Sequence, residues 1–152
     1  MYDKLVPELR DDPDNVGYAS MTDEQIAAAM LEPAGVEVVD HYASFRQIAA
    51  VLDDAEYNQL RNLLDGIAQQ NRRVADILEM LKLPGDAQGN GGGINFGHPA
   101  VRGFIEQLPV APETKRKLLA IAERPLPRWK KIGLDVPPAP GNILSARAMI
   151  GG

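Results

Sequence analysis

The sequence predicts a mainly α-helical protein: several short helices around one long helix, joined by glycine-rich and proline-rich extended connectors. Three observations predict it. Apolar residues between positions 54 and 83 recur at alternating steps of three and four. Helix-start signals recur along the rest of the chain. Glycines and prolines, 14 and 12 of 152 residues, gather between the periodic segments.

Taken in order, Thr22-Asp23-Glu24-Gln25 reads as a capping box that opens a helix through Ile26 and Met30 and stops before Pro33. "VEVVDHYA" alternates weakly, as a short strand or an extended link would. Ser44-Phe45-Arg46-Gln47 repeats the capping device for a helix ending near Leu52. The long helix is expected from about Asp54 to Leu83, stopped by Pro84-Gly85. Its a/d seam is Tyr57, Leu60, Leu64, Ile67, Asn71, Val74, Leu78 and Leu81, widened by Leu63 and Ile77. On that reading Asn71 is a buried polar register device, and the seam is either an interaction surface for another chain or an ordinary core face within this one. Pro99 and Pro112 stand at first helical positions of two further helices. "PRWKKIG" makes one turn closed by Gly133. "VPPAPGN" is extended, and a last short helix capped by Asn142 follows.

These elements divide the chain into an acidic helical region 1–84, a glycine-rich linker 85–97, a basic helical region 98–134 and an extended arm 135–152. Charge follows the division: 7 basic against 17 acidic residues through position 101, then 9 against 4 from Arg102 onward. Different partners for the two halves, copies packing acidic half to basic half, or a solvated basic face would each produce that. The N-terminus has no apolar core of an export signal, and no run reaches a membrane span, so a soluble chain without membrane contact is expected.

Little in the sequence looks like chemistry. With no cysteine there is no thiolate nucleophile and no cysteine-ligated zinc. "GDAQGNGGGINFGHP", residues 85–99, has no lysine, serine or threonine to finish a phosphate-binding loop, and it follows a helix rather than a strand. It reads as a flexible connector. His41 and His98 lack ligand-spaced partners. "DPDNVGYASMTD" imitates a calcium loop, with Asp12, Asp14, Gly17, Ser20 and Asp23 in place, but Val16 stands where an oxygen is needed. A structural turn is expected instead, with Gly17 at positive φ and Tyr18 as its anchor. No metal and no cofactor are expected. Lys115, Arg116 and Lys117, with Arg128, Lys130 and Lys131, form a basic patch whose phosphate contacts would suit nucleic acid, although the acidic chain as a whole argues against it.

Two stretches carry a family resemblance. Residues 8 to 31, "ELRDDPDNVGYASMTDEQIAAAML", hold Glu8, Leu9, Asp12, Pro13, Gly17, Tyr18, Met21, Asp23 and an alanine-rich helix ending in Leu31. "ERPLPRWKKIGLDVPPAPGNILSARAM" holds Arg128, Gly133, Leu134, Val136, Ala146 and Arg147. Both resemble the opening and closing segments of a group of small, mostly uncharacterised tailed-bacteriophage proteins; the middle resembles them only in the order of its elements. Members of that group sit among virion and tail genes, with no enzymatic role attached. The resemblance therefore implies a non-enzymatic virion structural protein of the tail, baseplate or fibre-attachment region. Its partners would be other virion proteins and further copies of itself. An assembly chaperone and a small nucleic-acid-binding protein are the alternatives.

Overall fold

A computed structural model describes residues 1–84 and 92–151. The protein is mainly α, with 61% helix and 10% strand. It divides into two compact units: Met1–Glu37 with Pro125–Gly152, and Val38–Arg124. This corrects the four-part division expected from composition. The first and last segments of the chain belong to one unit, and residues 92–97 of the glycine-rich stretch belong to the other.

The first unit opens with α1 (Tyr2–Asp11), which the sequence reading missed. Tyr2, Leu5, Val6 and Leu9 follow helical spacing, and Leu5 and Leu9 are buried. Pro7 sits inside the helix without an N–H to give the Asp3 carbonyl. The chain leaves α1 through Asp12 in the left-handed region, φ 42°. A single 3-10 turn, Tyr18–Ser20, follows Gly17 at φ 92°, as the turn reading expects. The Thr22–Gln25 capping box opens α2 (Asp23–Leu31). β1 (Pro33–Val38) pairs with β4 (Glu123–Pro127), and both strands carry the chain across the boundary between units. α8 (Arg128–Lys131) is the expected single turn, closed by Gly133 at φ 92°.

The C-terminal segment differs from its expectation. Only the residues ahead of Pro140 lie outside regular structure, with a bend at Asp135 and Val136; α9 (Pro140–Gly151) is a twelve-residue helix. Asn142 lies inside it, and its side chain reaches back to accept the Ala139 N–H. α9 packs on α1 and α2 with Ile143 and Ala146 wholly buried. The segment is thus part of its own unit's core, not an arm reaching for a neighbour. Pro137 and Pro138 precede the helix, and Pro140 sits at its start, where a missing N–H costs nothing.

The second unit is built on α3 (Phe45–Val51), α4 (Asp54–Ala68), α5 (Arg72–Leu81), α6 (Pro99–Gln107) and α7 (Pro112–Ala120), with β2 (Tyr42–Ala43) antiparallel to β3 (Ile94–Asn95). The long helix of the sequence reading is two helices. At Asn71 the backbone is extended, φ −134° and ψ 104°, and its side chain caps α5 by accepting the Val74 N–H at 3.2 Å. Asn71 is exposed. It is a helix cap, not a buried register device, because a short carboxamide competes with the helical backbone and settles at a terminus. The apolar spacing survives the break: Leu60 and Leu64 of α4 and Val74, Leu78 and Leu81 of α5 all enter one core. Tyr57, Leu63, Ile67 and Ile77 pack at its margin, half-buried.

The linker reading fails for residues 92–97 as well. Phe96 is 3% exposed in the core, and Ile94 and Asn95 pair with β2. A Cβ on Gly93 would collide with the Ala43 backbone, and one on Gly97 with the Val39 carbonyl. These glycines permit close approach. The rest of the expected linker, residues 85–91, lies outside the described residues.

Candidate functional site

The residues that carry the resemblance come together in the first unit. Tyr18 is 1% exposed, and its hydroxyl donates to Glu8 Oε1 at 2.7 Å; Glu8 is itself buried. Burial, then the Glu8 carboxylate, push the Tyr18 phenol well above its ordinary pKa. Arg128 of α8 reaches Glu8 Oε1 at 3.5 Å and Asp14 Oδ2 at 2.8 Å, so Asp14 is its principal partner. Lys131 joins Asp14 at 3.1 Å. The Arg128 hydrogen bond and then that of Lys131 hold the Asp14 carboxyl below the usual range.

The turn is closed by Asp12. Its carboxylate accepts the Val16 N–H at 2.6 Å and the Gly17 N–H at 2.7 Å. Burial opposes its ionised form, but these amides outweigh burial and leave its pKa lowered. The calcium-like spacing thus holds carboxylates already engaged: Asp12 by amides, Asp14 by two cations, and Asp23 by Arg147 at 3.0 Å. Arg147 of α9 also donates to the Tyr18 and Met21 carbonyls. Met21 packs beside the same core, and Pro13 lies between the two engaged aspartates. One guanidinium therefore ties the last helix to the closing part of the signature turn, from Tyr18 to Asp23. The resemblance placed Arg147 only as a matching position; nothing local in the sequence shows its partners.

The expected basic patch is shared between the two units. Lys115, Arg116 and Lys117 belong to the second unit, whereas Arg128, Lys130 and Lys131 belong to the first. Lys117 pairs with Glu56 at 2.7 Å, Arg116 with Glu113, and Lys115 donates to the Glu106 carbonyl. Lys130 pairs with Glu37. The acidic and basic halves of the sequence meet inside each unit, which accounts for the charge asymmetry without a second molecule.

Glu56 is the centre of the second unit's polar network. It accepts from Lys117, from the Asp53 N–H and from buried Thr114. Lys117 first, then the Asp53 amide, bring its pKa down to about 2. Elsewhere in this unit Arg61 lies with its Cζ 4.1 Å from the Phe45 ring centroid and 5.9 Å from that of Tyr57. Sequence reading missed this stack, although Tyr57 and Arg61 stand one helical turn apart.

Among the described residues, no three His, Cys, Asp or Glu side chains gather where they could hold a metal ion, and no helix is long and apolar enough to cross a membrane. No protein family, curated protein or solved structure matches the chain.

Proposed function

We propose that the chain is a non-enzymatic structural protein of a tailed-bacteriophage virion, working in the tail, baseplate or fibre-attachment region by packing helical faces against other virion proteins and further copies of itself. One observation carries the reading. The two segments that resemble the phage group stand at opposite ends of the sequence, yet they fold into a single unit. Arg147 joins them through Tyr18, Met21 and Asp23, and Arg128 through Glu8 and Asp14. A resemblance spread over two distant stretches has physical sense when the two stretches build one core.

The engaged charges also weigh between the alternatives. Nucleic-acid binding needs lysines and arginines free to displace counterions from phosphate. Five of the six residues of the expected patch face carboxylates at 3.1 Å or less, and Lys115 donates to the Glu106 carbonyl. What the protein offers to partners is apolar: Leu31 and Leu144 of the first unit are 59% and 60% exposed, and Met149 is 53%. Exposed apolar side chains suit protein contacts better than phosphate.

Mass spectrometry of purified particles from cells expressing the chain tests the reading. A virion component persists at fixed stoichiometry through density-gradient purification. Presence in assembly intermediates but absence from finished particles would replace it with the chaperone reading. DNA binding that collapses with added salt would replace it with the nucleic-acid reading.

A further inference from the structure

Four guanidinium groups among the described residues are half-buried: those of Arg61, Arg102, Arg128 and Arg147. Three face a carboxylate of their own unit: Arg102 faces Glu123 at 2.8 Å, Arg128 faces Asp14 and Glu8, and Arg147 faces Asp23. Arg61 faces none. Withdrawing a cation from water without a counter-ion is costly, which is why such groups are ordinarily paired.

The Arg61 side chain is nevertheless firmly held. Its guanidinium lies over the Phe45 ring, and Phe45 and Tyr57 meet edge to face with centroids 6.3 Å apart. Nη1 donates to the Tyr57 hydroxyl at 3.1 Å, while the buried Nε–H has no acceptor. Asp65 stands one turn further along α4, at the spacing where an ion pair would form, yet Arg61 is turned to the aromatic rings instead. Stacking fixes the plane of the fork and removes most of the rotamer entropy that a flexible arginine loses on binding. The result is an oriented planar cation whose charge no carboxylate among the described residues compensates.

We propose that Arg61 is a receptor for a carboxylate side chain of a partner protein, with Phe45 and Tyr57 as positioning residues that hold the guanidinium ready. A carboxylate matches the fork in shape and charge, and an arginine anchored on aromatics is the kind of residue that dominates a protein interface. The inference goes beyond the virion reading and does not depend on it: it needs only an acidic partner.

The test follows the Arg61 Nε–H signal by NMR in the full chain during titration with an acetylated, amidated oligoglutamate peptide at constant ionic strength. A saturable shift of that signal is expected. Calorimetry should then show affinity about tenfold weaker in Arg61→Lys, which keeps the charge but loses the planar fork. Absence of a saturable shift in the wild type, a measurement that needs no variant to fold, would overturn the proposal. So would equal affinity in Arg61→Lys, or displacement of the peptide by an equal concentration of inorganic phosphate. None of these results would touch the virion reading, which particle composition decides.

Discussion

Tyr18, Glu8 and Arg147 decide how tightly the first unit is held. The Tyr18–Glu8 hydrogen bond is buried and charge-assisted, so it outweighs exposed ion pairs such as Arg10–Asp11, which solvent screens. Tyr18→Phe should lower stability in chemical denaturation by about 1–3 kcal/mol, because Glu8 keeps its burial and loses a donor. Arg147→Met should lower it by about 2–4 kcal/mol, leaving Asp23 and two carbonyls without their donor. In the second unit, Glu56 makes stability depend on acid. Its folded pKa of about 2 lies below the ordinary 4.5, so its contribution is fully present above pH 4.5 and is lost as pH falls from there toward 2. Melting temperatures of wild type and Glu56→Gln should therefore converge through that window. A difference that stays constant across it would remove Glu56 from the account.

Elements show where local signals suffice and where they do not. The capping boxes at Thr22 and Ser44 are legible because hydroxyl and carboxamide act within three residues. Pro99 and Pro112 are legible for the same reason. The break between α4 and α5 is hidden because α5 restarts in phase, so the apolar steps run unbroken across Asn71. α1 is hidden by Pro7 and an acidic composition that mask the spacing of Leu5 and Leu9. The site is less legible still: Arg128 and Glu8 are 120 residues apart, and no local pattern announces such a pair. Asn71 separates the two accounts of the helical pair. As a cap, Asn71→Ala should cost about 1 kcal/mol and Asn71→Leu a similar amount, with solution mass unchanged in light scattering. A gain in stability together with altered oligomeric state would restore the register device.

At the scale of the whole molecule, the central claim is that the two ends of the chain build one unit, with residues 38–124 forming another of their own. α9 supplies Ile143 and Ala146 to a core whose other members, Leu5, Leu9, Tyr18, Ile26 and Met30, all come from the first thirty residues or so. Removing those side chains leaves a void far larger than one methyl group, and cavities of that kind cost several kcal/mol. Hydrogen exchange on a truncation ending at Leu134 is the most direct measurement. The amides of α1 and α2 should lose protection, while those of α4, α5 and α7 keep theirs. Retained protection in α1 and α2 would contradict the account, because the N-terminal segment would then fold without the C-terminal helix.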